Sequence, residues 1–244
     1  MSKSKTKQTV PNVDQEYAVQ QDKTLHWLQK NQKTLLYTLL GLALIIGGYY
    51  AYQQFVVKPN TEKAQNDLAG AQQLFDRAVA NPVIDTAAFK AVLNGEGATK
   101  GVLSVIKNNS GKVANLAKYY AGVSYLKLGD FNNAVKYLKE FSTDAKQIQM
   151  MAYGALGDAY SELGKNDDAV SSYKKAAATF EADAVNAGEY LFRAALLCEV
   201  TGKNTEAVQL YKELKEKFPQ TQRGAEADKY IYRLSIEDND FTVK

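Results

Sequence analysis

Few residues in this chain could do covalent, metal or acid–base chemistry at neutral pH. Its 244 residues include one histidine, His26, and one cysteine, Cys198. A single thiol makes no internal disulfide. A single imidazole near the N-terminus supplies neither a His-Glu-x-x-His zinc site nor a serine–histidine relay in the rest of the chain. Three short motifs remain. Gly95-Glu96-Gly97-x₃-Gly101 has the outline of a phosphate-cradling loop, which works only between a strand and a helix of a βαβ unit. Its surroundings are helical in pattern and its third glycine falls one residue late, so a tight turn between helices is expected. Glu237-Asp238-Asn239-Asp240 is as acidic as a calcium loop but lacks the glycine and distal glutamate; it reads as a solvated tail. Asn108-Asn109-Ser110 matches a glycosylation triplet, and a short polar loop explains it equally well. No catalytic, cofactor-binding or metal-binding residue is assigned. An enzyme is not expected, because no polar pocket with convergent titratable groups can be drawn from the sequence.

What positions side chains here is a repeated phrase. Tyr125-x₃-Gly129-x₄-Ala134, Tyr160-x₃-Gly164-x₄-Ala169 and Cys198-x₃-Gly202-x₄-Ala207 follow one another, with glycines 35 and then 38 residues apart. That period is that of a helix–turn–helix unit. The glycines suit the left-handed residue that commonly ends a helix. Asp130 and Asn166 (or Asp167) offer side-chain oxygens to begin the next one. Small residues at Gly122, Gly157 and Ala195 face Ala134, Ala169 and Ala207 across each hairpin, where bulk would push the helices apart. Tyr125 and Tyr160 are expected to fill the space between neighbouring hairpins. The fullest copy runs Tyr153-x₂-Leu156-Gly157-x₂-Tyr160, then Gly164, Ala169 and Tyr173, and the third copy closes on Pro219. This resembles the tetratricopeptide repeat. The expected fold is all-α, an α-solenoid of three such repeats over 115–219 (115–149, 150–187 and 188–219). Ala227, Tyr230, Ile231 and Leu234 predict a capping helix over 220–236, followed by a tail over 237–244. In front, Ala64, Leu68, Ala71, Phe75, Ala78 and Val79 mark a helix ended by Asn81-Pro82, and 99–107 reads as a shorter one. Residues 58–114 are thus leading helices, a degenerate repeat.

From Thr34 to Val57 the chain has 24 residues without a charge. As a helix these would span roughly 36 Å, against a hydrocarbon core of roughly 30 Å. Trp27, Tyr37, Tyr49, Tyr50 and Tyr52 suit the two interfacial belts. The 33 residues before it, and the lack of a small-x-small site after it, favour an uncleaved anchor over a signal peptide. Lys3, Lys5, Lys7, Lys23, Lys30 and Lys33 precede it, against Asp14, Glu16 and Asp22. The whole net charge of +3 therefore sits in the 1–33 head, which is read as basic, cytoplasmic and partly disordered. The repeats are then expected outside, in the periplasm, as the exported part of a single-pass inner-membrane protein. Their balanced charge gives no case for nucleic acid, and no small-molecule substrate is expected.

The resemblance to tetratricopeptide repeats implies that the first helix of each hairpin lines the partner groove. The lining would be Leu116, Tyr119, Val123 and Lys127, then Met151, Asp158 and Glu162, then Glu189, Phe192, Leu196 and Glu199. That surface is apolar with a mild acidic trend, unlike the Lys/Asn carboxylate clamp, and suits extended or amphipathic protein segments. The chain's own front or capping helices are the alternative occupants. Basic head, single anchor and exported repeats, with segments such as Ala117-Lys118-Tyr119-Tyr120-Ala121-Gly122 and Asn94-Gly95-Glu96-Gly97, resemble the YfgM-type ancillary subunits of the Sec translocon, as found in Bacteroidetes-like bacteria. That resemblance implies a SecYEG-like translocon, a membrane-anchored periplasmic chaperone and emerging secretory chains as partners, with no cofactor. A scaffold for another envelope assembly or secretion machine is the second expectation.

Overall fold

The computed structural model describes residues 13–237. The acidic tail from Asp238 and the first twelve residues of the head lie outside them. The chain divides between Thr61 and Glu62 into two compact units.

The first unit is dominated by α1, Val13–Tyr52. It begins well before the uncharged run, so the head expected to be partly disordered is helical from Val13. Neither proline nor glycine interrupts Val13 to Leu40, and Gln, Lys, Ala and Leu in that stretch are good helix formers. Leu42, Ala43, Leu44, Ile45 and Ile46 are exposed at successive positions, so α1 is apolar around its whole circumference there. Among the described residues it carries the one stretch long and apolar enough to cross a membrane. A π-helical turn, Gln53–Val57, follows, just before Pro59. The wider turn suits a ring that lacks an N–H and would crowd an α-helical carbonyl.

The second unit contains most of α2, Lys58–Ala80. Ala64, Ala71, Leu74, Phe75 and Ala78 are buried as their spacing requires, whereas Val79, expected on that face, is 47% exposed. Asn81-Pro82 ends the helix. The leading region then departs from the two helices expected. A further helix, α3, Thr86–Asn94, starts on Asp85, whose carboxylate accepts from the amides of Ala87 and Ala88. A two-stranded hairpin pairs β1, Gly95–Glu96, with β2, Thr99–Lys100. Gly95 and Gly97 adopt positive φ, so the glycine motif is a tight turn. The shorter helix therefore begins later than expected, as α4, Val102–Asn108. Arg77–Glu96 and Lys100–Asp67 ion pairs pin the hairpin to α2.

Three helix hairpins follow: α5, Gly111–Lys127, with α6, Phe131–Lys139; α7, Lys146–Glu162, with α8, Asn166–Thr179; α9, Ala184–Val200, with α10, Asn204–Lys217. Each begins about a turn earlier than the sequence boundaries, because helical hydrogen bonds start ahead of the first aligned small residue. The repeated phrase is a Schellman ending leading directly into a new start. The amides of Asp130, Lys165 and Lys203 bond to the carbonyls of Tyr125, Tyr160 and Cys198 at 2.9, 2.9 and 2.8 Å. Gly129, Gly164 and Gly202 hold φ of 79°, 70° and 77°. The carbonyls of Asp130, Lys165 and Lys203 in turn accept the amides of Ala134, Ala169 and Ala207. Asp130 caps α6 through its side chain as expected. Asn166 does not cap α8: the caps of α8 and α10 are Lys165 and Lys203, whose side chains make no capping bond. Backbone geometry alone suffices there.

A Cβ added at Gly157 would lie 2.5 Å from Tyr173, and one at Gly122 would lie 2.5 Å from Leu138. Close helix approach thus needs small residues at these points. Tyr125 stacks on Tyr137 of its own hairpin at 5.6 Å, rather than between hairpins. Helix α11, Gln222–Glu237, buries Ala227, Ile231 and Leu234 on the last hairpin. One apolar core runs from α2 to α11.

Candidate functional site

The first helices α5, α7 and α9 form one row, and the structure sorts the expected groove residues into three groups. At the front, Tyr119 is 8% exposed. It is packed among Phe75, Tyr120 and Phe141 with ring centroids 5.3–6.3 Å apart. Burial, and then the neighbouring Tyr190 and Tyr120, pushes its phenol up to about 12. Tyr119 is core, covered by α2, and does not line an open groove. Leu116 and Val123 beside it are half-buried against the same cluster.

At the rear, α11 lies over α9. Phe192 is buried beneath the Arg223 guanidinium, 4.0 Å from its ring centroid. Tyr230 packs edge-on to the same ring at 5.2 Å. Glu189 and Glu199, expected as acidic groove residues, are committed to α11. Arg223 Nε donates to Glu189 Oε2 at 2.8 Å, Arg233 pairs with Glu199 Oε1, and Tyr211 Oη donates to Glu199 Oε2 at 2.9 Å. Of the four groove residues expected on α9, Leu196 alone is exposed.

The centre holds a charged ladder. Tyr173 Oη donates to Asp158 Oδ1 at 2.7 Å, and Arg193 Nη1 donates to the same oxygen at 3.0 Å. Arg193 Nε reaches Glu189 Oε1 at 3.2 Å. Burial raises the Tyr173 and Tyr211 phenols, and the adjoining Asp158 and Glu199 carboxylates raise them further. Both stay protonated donors. Partial burial pulls the Arg193 guanidinium down, but Asp158 and Glu189 outweigh it and the net shift is upward. The ring of Tyr190 lies on Gly154, where an added Cβ would meet it at 2.1 Å. While Glu162 stays exposed, the acidity of Asp158, Glu189 and Glu199 is therefore neutralised within the molecule. Its cations, Arg193, Arg223 and Arg233, went unassigned to the groove. Their signal was separation: Asp158–Arg193, Glu189–Arg223 and Glu199–Arg233 lie 35, 34 and 34 residues apart, one repeat period each.

What stays uncovered is a central strip. Met151, Lys127 and Glu162 are exposed and Asp158 is half-buried. Beside them opens a hollow of about 490 Å³ lined by Ile84, Lys127, Phe131, Asp158, Glu162 and Arg193 among others. Ile84, on the segment between α2 and α3, is 57% exposed, and its neighbour Val83 is 71% exposed. The strip thus joins an apolar lip to a balanced set of charges. Exposed apolar and charged side chains side by side are the kind of surface that extended or amphipathic protein segments pack against. The Cys198 thiol is buried, and desolvation pushes it up to about 11, which makes it a packing residue. Among the described residues no group of three or more His, Cys, Asp or Glu is placed to hold a metal.

Models of the tetratricopeptide repeat match residues 116–145 and residues 155–220. No curated protein matches the chain.

Proposed function

With tetratricopeptide repeats as the premise, we propose that the protein is a membrane-anchored interaction subunit. Helix α1 crosses the inner membrane with its N-terminus in the cytoplasm, and the repeats stand in the periplasm. There the central strip holds a protein partner beside a SecYEG-like translocon, receiving a membrane-anchored periplasmic chaperone or an emerging secretory chain. Repeats of this family are generally non-catalytic interaction modules, which accords with a strip of contact residues. The observation that carries the reading is the pairing, in one chain, of a helix apolar on every face with a repeat row whose central strip is uncovered. The translocon and chaperone are proposed on the resemblance in architecture.

The test is in-cell photo-crosslinking from Lys127 and Met151, with Lys229 on the exposed surface of α11 as control. Translocon subunits and a chaperone should be captured from the strip and not from Lys229. Recovery of a different envelope machine from the strip would move the reading to a scaffold for that machine. Equal capture from all three positions would overturn the strip as the binding surface.

A further inference from the structure

Among the described residues one long helix surface is left without cover, that of α1. Apolar residues recur along it at alternating spacings of three and four: Leu25, Leu28, then Leu35, Leu39, Leu42, Ile46 and Tyr49. Gln32 takes the one remaining place in the series. This is a heptad, with Leu25, Gln32, Leu39 and Ile46 at a and Leu28, Leu35, Leu42 and Tyr49 at d, and a and d form one seam of a helix. Apart from the half-buried Leu35, every residue of the seam is exposed.

Within the uncharged run every face is apolar, and the seam there does not stand out. The head decides the matter. Leu25 and Leu28 lie before that run and are 56% and 46% exposed. A helix lying flat on the membrane could bury them, but α1 runs unbroken from Val13 to Tyr52, with no proline or glycine before Gly41 to turn it. A head that continues the axis of a spanning helix stands in water. Lipid gives the two leucines no cover there; a second helix does.

The charges point to which helix. Lys30 falls at f, and His26 and Lys33 at b, away from the seam. The e and g positions that flank Leu25, Leu28 and Gln32 hold Thr24, Gln29 and Asn31, none of them charged. Two copies of this basic head can therefore approach without setting lysine against lysine. In a parallel pair each Gln32 faces its counterpart. A primary amide both donates and accepts, so the two side chains can bond to each other. The Gln32 side chain makes no hydrogen bond among the described residues, unlike that of Asn31, which donates to the Trp27 carbonyl at 2.9 Å.

We propose that α1 pairs in parallel with α1 of a second copy of this chain, along the seam from Leu25 to Tyr49. The leucines of the head supply the burial in water, and Gln32 fixes the register. The pairing rests on the span proposed above and not on what the central strip holds.

The test is disulfide crosslinking of the full chain in isolated membranes, oxidised with copper phenanthroline. Leu25→Cys, Leu28→Cys and Gln32→Cys should each give a covalent homodimer, and His26→Cys and Lys30→Cys should not. The parent, whose thiol at Cys198 is buried, should give none. In Gln32→Cys, adding Leu25→Ala with Leu28→Ala should lower the dimer yield at least about threefold, and adding Trp27→Ala, at c, should leave it unchanged. Alanine favours the helix, so these variants keep α1. Equal yields at all five positions would overturn the pairing. A seam-specific adduct of a mass other than twice the chain would give the seam to another protein's helix and overturn it too. Alkaline carbonate extraction reads the span separately. Chain retained in the membrane without a seam-specific dimer overturns the pairing alone; chain released from it overturns the span and the pairing together.

Discussion

At the scale of single residues the fold depends on what is missing as much as on what is present. Gly157 leaves room for the Tyr173 ring, whose hydroxyl then reaches Asp158. Gly157→Leu should cost about 1–3 kcal/mol by overpacking. At about 2–4 °C per kcal/mol for a unit of this size, that is a fall of several degrees in Tm. Scanning calorimetry against Leu196→Ala, at an exposed position, measures it; equal small shifts would remove the close-approach role. Much of this scale was legible beforehand. The Tyr-x₃-Gly-x₄-Ala phrase marks a Schellman ending and the first buried alanine of the next helix, and both fall where the phrase puts them. The expected Asn166 cap was not legible. Side-chain capping is a preference that the backbone bond at Lys165 makes unnecessary. Tyr119 misled for another reason. Its helical position faces the partner side, but Phe75 of α2, remote in sequence, lies on top of it.

At the scale of elements the flanking helices decide how much of the repeat row is available. Helix α2 takes the front and α11 takes the rear, leaving the centre. The arginines holding α11 are partly exposed, and isolated surface pairs contribute little, about 0–1 kcal/mol each. The apolar contacts of Ala227, Ile231 and Leu234 should therefore keep α11 docked when the arginines are removed. In Arg223→Ala with Arg233→Ala we expect a small fall in Tm but faster amide hydrogen exchange across 222–237, since the Glu189 and Glu199 carboxylates lose their partners. Exchange read by mass spectrometry checks this; protection identical to the parent would show that the pairs do not hold the helix. The capping helix was legible from its apolar spacing. Its occupation of Glu189 and Glu199 was not, because a face pattern tells which side of a helix is buried and not what lies across from its polar side. The leading region was the least legible. Two short strands and a nine-residue helix leave too few turns for periodicity to register.

At the scale of the whole molecule, composition already separates an uncharged helix from a repeat unit, and α1 with the π-helical turn after it covers the uncharged run while α1 begins well before it. If α1 spans the membrane as proposed, Ser4→Cys should resist membrane-impermeant thiol reagents in spheroplasts and react once the membrane is permeabilised. The buried Cys198 gives little background. Rapid labelling before permeabilisation would reverse the topology. The ion pairs one period apart carry a further meaning. Counting back from the turn glycines, the place of Asp158 is taken in the next repeat by Leu196, and that of Arg193 in the preceding repeat by Ala155. The pairing partners therefore do not recur, and exchanging or duplicating a repeat would set a charge against an apolar residue. At this one junction, units that share a backbone plan are told apart by their charges, and a shuffled neighbour there would leave Asp158 or Arg193 without its partner.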